Sequence, residues 1–375
     1  MDPTIRPFHV DIPQEDLDEL RRRILATRWP DKETVADRSQ GVQLANLQEL
    51  VRYWGTDYDW RKAEAQLNAL PQFTTTIDGV NIHFLHVRSP HEDALPLIIT
   101  HGWPGSILEL LKIIEPLTDP TAHGGAAEDA FHLVIPSLPG YGFSGPTREP
   151  GWSNYRIAAA WDELMRRLGY ERYGAAGNDA GSMISPEVGR LDPDHVVGVH
   201  VTQIFSFPSG DPSEFVDMTE QEASELATLQ WFVENKFSFN TLMAQQPQTL
   251  AYAINDSPLG LLAWNAQLLG EDLDPDFALS NVMLYWLTGT AASAARLYYE
   301  TAHATNRPTE PTTLPLGLAA FGGDFSGIRR FAERDHHNIV RWSTFDHGGH
   351  FSAHKAPDQL VGDVRAFYAG LRDVT

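Results

Sequence analysis

From residue 95 to residue 202, short apolar runs alternate with helical patterns, and this alternation leaves few folds open to the chain. Leu95-Pro96-Leu97-Ile98-Ile99-Thr100 and Phe131-His132-Leu133-Val134-Ile135-Pro136 are nearly unbroken apolar runs, as expected of strands buried on both faces. Helical spacing follows at about 106–114 and 156–168, and strand character returns at 174–177 and 196–202. Strand and helix in turn predict the α/β class, with a mostly parallel, doubly wound sheet.

The flanks carry different signals. Asp11-Ile12-Pro13-Gln14 opens a helix in which Leu17, Leu20, Ile24 and Leu25 recur at helical spacing, and 42–54 and 58–70 read as two more. These helices are too short to build a core alone, so 1–72 is expected to lie across a larger body. Phe73-Thr74-Thr75-Thr76-Ile77 and Ile82-His83-Phe84-Leu85-His86-Val87 alternate around Asp78-Gly79, a hairpin signal. Residues 73–206 then form the first part of the α/β body, 207–307 a helical insertion, and 308–375 the second part. Helical periodicity in the insertion is clearest at 221–232 and 282–299, strands return at 313–321 and 340–345, and Leu360, Val364 and Phe367 mark a closing helix.

Composition removes several function classes. A formal charge of −22 disfavours phosphate backbones and anionic lipid, so neither nucleic acid nor membrane is an expected partner. The absence of cysteine excludes disulfides, thiolate metal sites and a thiol nucleophile. Without a signal-peptide layout at the N-terminus or an apolar run of membrane-spanning length, a cytoplasmic location is the default expectation.

Chemistry concentrates at strand ends. Gly177-Asn178-Asp179-Ala180-Gly181-Ser182 sets a polar residue between glycines where a short strand meets a helix. A nucleophile elbow needs a tight turn, small neighbours and a side chain presented at the sheet edge. A helix N-cap is the competing role for Asp179. His101-Gly102-Trp103-Pro104-Gly105 directly follows the run ending at Thr100. Such a turn can aim the Trp103 N–H into the cleft, where with the Ala180 N–H it makes an oxyanion hole; otherwise it is ordinary Gly/Pro punctuation. His350 lies beyond the last strand and Asp324 beyond the one before it, giving the order nucleophile, acid, histidine. Taken singly, His350 could be structural and Asp324 a turn residue, and Asp346 is worse placed to cross over. His347 and His350 lack further ligands nearby, so no metal is expected.

These residues resemble the α/β-hydrolase superfamily and, within it, the epoxide hydrolases of the microsomal type. The resemblance rests on Thr27-Arg28-Trp29-Pro30-Asp31, Leu67-Asn68-Ala69-Leu70-Pro71-Gln72-Phe73, His101-Gly102-Trp103-Pro104, Pro139-Gly140-Tyr141-Gly142-Phe143-Ser144 and Asp256-Ser257-Pro258-Leu259-Gly260-Leu261. It implies an α/β-hydrolase fold with 207–307 as a cap, and a cofactor-free conversion of a small-molecule epoxide to a diol. Asp179 would be the nucleophile, Asp324 and His350 its partners, and Tyr298 a cap tyrosine that donates to the epoxide oxygen. His101, Pro104 and Phe239 would line the substrate pocket. The assembly is left open, a homodimer being compatible. Two positions depart from the family. Phe239 stands where the second cap tyrosine is expected, leaving Tyr298 alone, a displaced Tyr252 or Tyr285 in its place, or epoxide opening weakened. Ala180 replaces the usual tryptophan beside the nucleophile, which predicts a wider pocket floor and a bulkier substrate. A haloalkane-type dehalogenase and a catalytically weak ligand-binding protein are the alternative readings.

Overall fold

The computed structural model describes residues 4–270, 274–325 and 327–372. Among these, nine strands form one sheet: β1 (Arg6–Pro7), β2 (Gln72–Ile77), β3 (Val80–Val87), β4 (Leu95–Thr100), β5 (Phe131–Pro136), β6 (Tyr173–Gly177), β7 (Val196–Val201), β8 (Leu316–Phe321) and β9 (Ile339–Phe345). Their order is β1-β2-β3-β5-β4-β6-β7-β8-β9. The three pairings from β1 to β5 are antiparallel, and every pairing from β5 to β9 is parallel. The mostly parallel sheet expected from the alternation is therefore present, as the α/β-hydrolase fold implied by the resemblance requires. Every residue of β5 and β6 is buried, which is why their runs contain no exposed polar position.

The hairpin forms at Asp78-Gly79, both with positive φ (47° and 79°), the geometry that a two-residue turn between twisted strands requires. His83, one of the polar residues alternating along β3, is fully buried. Its ring nitrogens meet Ser137 Oγ at 2.9 Å and Gln72 Oε1 at 3.0 Å, and burial pushes its pKa down to about 3, so it stays neutral. Phe8 from the N-terminal segment packs edge-on against this ring, covering a face that would otherwise meet water.

Three helices, α1 (Gln14–Leu25), α2 (Leu44–Thr56) and α3 (Trp60–Asn68), precede the hairpin. The predicted helix at 106–114 starts instead as a 3-10 turn (Ile107–Leu110), capped by Ser106, before α4 (Leu111–Thr118). The body continues with α5 (Asn154–Arg167) and α6 (Ala180–Leu191). Between β7 and β8 come α7 (Glu220–Asn235), α8 (Ser238–Gln245), α9 (Pro247–Asp256), α10 (Pro258–Leu269), α11 (Pro275–Thr288) and α12 (Ala291–Ala302). The single helical stretch expected at 282–299 is broken: Gly289 adopts φ +64° and ends α11, so α12 departs in a new direction. After β8 and β9, a last long helix (Pro357–Ala369) closes the chain and buries Leu360, Val364 and Phe367 as its spacing implies. The N-terminal helices hold the insertion. Tyr53 donates to Asp276 at 2.7 Å, and Trp54 Nε1 meets Met283 Sδ at 3.2 Å. No helix among the described residues is long and apolar enough to cross a membrane.

Candidate active site

Sheet order places the site. The chain leaves β4 toward β5 on one side and later returns to β6 on the other, so a crevice opens at the carboxyl ends where these directions diverge. Thr100 and Gly177, the last residues of β4 and β6, pair in register. The Trp103 turn and the Asp179 elbow therefore start side by side. Asp179 sits at φ +54°, ψ −117°, a conformation costing about 1–3 kcal/mol in a non-glycine residue. Its side chain makes no cap hydrogen bond, so the N-cap role considered for it does not hold. Close approach explains the glycines. A Cβ on Gly181 would lie 2.0 Å from the Thr100 carbonyl oxygen, and one on Gly102 would lie 2.1 Å from Asp179 Oδ1. With no Cβ there, the Trp103 N–H reaches Asp179 Oδ1 at 2.9 Å.

The loops after β8 and β9 bring the other two residues in. The Gly349 N–H donates to the Gly322 carbonyl at 3.1 Å, joining the loops. His350 Nδ1 then lies 3.1 Å from Asp324 Oδ1, and its Nε2 lies 3.8 Å from Asp179 Oδ2. Gln203, just past β7, was not singled out in the sequence. Its Nε2 donates to Asp324 Oδ2, and its Oε1 accepts the Asp179 N–H at 2.8 Å. The rule that points to Asp324, a polar residue just beyond a parallel strand, would have found it.

Burial and charge set the protonation states. The Asp179 carboxyl lies above the ordinary range because burial outweighs His350 and the Trp103 and Ala180 N–H groups. Those donors favour ionisation, but desolvation is larger. Asp324 is also penalised by burial, yet His350 and Gln203 bring it below the ordinary range. For His350 burial works against the charged form, but Asp324 and Asp179 overcome it and raise the imidazole to about 10.

Comparison with known proteins decides what this arrangement belongs to. Residues 5–110 match the family described as epoxide hydrolase N terminus, and residues 96–248 the one described as alpha/beta hydrolase fold. The chain is 46% identical to a Stigmatella aurantiaca protein provisionally named an epoxide hydrolase, over 98% of this chain and 86% of that one. It is 32% identical to epoxide hydrolase 1 of Sus scrofa, over 98% of this chain and 89% of that one. The chain belongs to the microsomal-type epoxide hydrolases. The Aspergillus niger epoxide hydrolase structure superposes with a TM-score of 0.87 at 30% identity, covering 98% of this chain and 97% of that one.

In this epoxide hydrolase, aromatic rings from the insertion lie over the Trp103 turn. Phe239 stacks on Trp103 at 5.6 Å between centroids, and Tyr298 meets Trp103 and Phe239 edge-on, each at 6.2 Å. Burial and the Asp179 charge hold the Tyr298 phenol well above its ordinary pKa, so it remains a donor. Tyr252 is 73% exposed, and Tyr285 donates its hydroxyl to the Gly105 carbonyl at 2.6 Å. The first therefore faces solvent and the second has its hydroxyl engaged, so neither stands in for a phenol at Phe239. Tyr299 is half-exposed and stacks on His303 instead of facing the site. His101 is fully buried behind the turn, its Nδ1 paired with the Gly102 carbonyl and its Nε2 accepting the Leu138 N–H, so both ring nitrogens are engaged by backbone. Pro104 and Ala180 are buried in their turns.

Proposed function

We propose that this protein hydrolyses an epoxide to a vicinal diol through an ester on Asp179, with 207–307 acting as the cap over the site. The observation that carries this reading is one imidazole between two carboxylates, 3.1 Å from Asp324 and 3.8 Å from an Asp179 on a strained elbow. In the first step an Asp179 oxygen attacks an oxirane carbon and the ring C–O bond breaks, its electron pair staying on oxygen. That oxygen takes a proton from Tyr298, which recovers one from cationic His350. A serine here would form an ether that water does not cleave, so an aspartate selects alkylation followed by hydrolysis.

Esterification removes the Asp179 charge that helps hold the His350 proton, so the imidazole becomes available as a base when one is needed. In the second step His350 Nε2 takes a proton from water, and the hydroxide attacks the ester carbonyl. The Trp103 and Ala180 N–H groups hold the oxyanion. Collapse breaks the acyl C–O bond, and the departing alkoxide takes the hydroxyl proton of the intermediate. Diol, Asp179 carboxylate and cationic His350 remain, restoring the starting state.

Phe239 offers no hydrogen-bond donor, so Tyr298 carries the whole donation. Tyr298→Phe is expected to lower kcat/KM for an epoxide by about 10²–10³-fold with little change in melting temperature. A loss below fivefold would remove Tyr298 from the step. The reading as a whole is tested by a substrate panel. Epoxides should give diols, whereas haloalkanes should release no halide, since Ala180 supplies no indole N–H to a departing anion. With a small residue at 180, ring-fused epoxides should turn over about tenfold faster than small terminal ones. Halide release without diol formation would support the dehalogenase reading, and binding without turnover the ligand-binding one.

A further inference from the structure

Beside the three residues above lies a further carboxyl that their chemistry does not use. Glu109, in the 3-10 turn after the Trp103 loop, is only 1% exposed. Its Oε1 accepts from Asn178 Nδ2 at 3.0 Å, and Asn178 directly precedes Asp179. Asn178 Oδ1 in turn accepts from Gln203 Nε2 at 2.9 Å, so the glutamate is tied through two amides to Asp324 and to the Asp179 backbone.

Its other oxygen is different. Glu109 Oε2 is buried and has no hydrogen-bond partner among the described residues. A Cβ on Gly105 would lie 1.8 Å from this oxygen and 3.2 Å from Phe351 Cε1, so Oε2 rests against the bare Cα of the glycine, with the phenyl ring near the same position. That ring packs edge-on against His350, with centroids 5.0 Å apart. A bare carboxyl oxygen in a dry interior is costly, and such groups as a rule hold water.

We infer that Glu109 is a positioning residue for the second half-reaction, its Oε2 holding the water that His350 deprotonates. The inference rests on the covalent reading given above. The water donates one hydrogen to His350 Nε2 and the other to Glu109 Oε2, leaving an oxygen lone pair directed at the Asp179 ester carbonyl. The first proton passes to His350 as the O–C bond forms. The second stays on the oxygen, held by Glu109 until the tetrahedral intermediate collapses. At rest, burial, with the Asp179 charge adding to it, lifts the glutamate to about 8, so it is largely neutral and a third negative charge is avoided. A neutral carboxyl keeps acceptor capacity for a hydrogen of the water.

Glu109→Gln tests this, because it exchanges an acceptor at Oε2 for an N–H that would bind the water through the lone pair needed for attack. With styrene oxide as probe, single-turnover alkylation should stay within about twofold of wild type. Ester hydrolysis should slow at least tenfold, so that kcat and KM fall together and the enzyme mass rises by one epoxide on the Asp179 peptide. Glu109→Asp keeps the carboxyl but withdraws the oxygen by one methylene, and it should show the same split in case the glutamine variant does not fold. Unchanged hydrolysis in both variants overturns the inference, and so does a loss confined to alkylation. His350→Gln serves as the control. An adduct there without one in the Glu109 variants removes the water-holding role alone, whereas no adduct in either removes the covalent reading itself.

Discussion

Asp179→Ala is expected to lower kcat/KM for any epoxide substrate by about 10⁴-fold or more, measured as diol formed under initial-rate conditions. The size of the loss follows from Asp179 being the carboxylate that the elbow presents, while the neighbouring carboxyls are tied up elsewhere in the hydrogen-bond network. Asp324 is held by His350 and Gln203, and Glu109 by Asn178. The fold should persist, because the variant deletes a buried carboxylate and leaves Gly177, Gly181 and the sheet register untouched. The pH profile of the wild type should agree. The nucleophile works only as carboxylate, and burial lifts its pKa above that of an ordinary aspartate. Activity should therefore be lost as pH falls through that raised value, placing the acid limb above the ordinary aspartate value of about 3.9. Turnover retained within tenfold in the alanine variant would move the nucleophile elsewhere.

His350→Gln should separate the two steps. Glutamine keeps a donor toward Asp324 but cannot accept a proton from water, so kcat should fall by about 10³-fold or more while alkylation persists. The enzyme should gain the mass of one epoxide, localised to the peptide that contains Asp179, and wild type should show no such species at steady state. Wild-type diol production with no adduct on the variant would mean that water attacks the epoxide directly and that His350 acts on a different atom.

Much of the site is legible because its chemistry is written in local patterns. Gly177 and Gly181 flank Asp179 for reasons of close approach, and glycine spacing is visible without coordinates. Asp324 and His350 stand just beyond strands whose apolar runs are equally visible. Gln203 and Glu109 escaped notice because their importance lies in bonds to residues 121 and 69 positions away, Asp324 and Asn178. The bonds of His101 to backbone are hidden in the sequence for a related reason. A histidine before a glycine-rich turn can face the cleft or the turn's own backbone, and only packing decides which. The same holds for β3, where Asn81 stays exposed but Phe8 packs against the His83 ring. In 282–299, by contrast, Gly289 is a local stop signal that helical periodicity on both sides obscured.

The amino-acid order alone determined the α/β alternation, the elbow carrying a carboxylate and the succession of aspartate, aspartate and histidine, because each depends on neighbours a few positions apart. Tertiary structure decided which carboxyl carries charge, which tyrosine keeps a free hydroxyl and how the amide links run beneath the imidazole. Those properties depend on desolvation and on contacts between distant segments, and neither exists until the sheet has assembled and the insertion has closed over it.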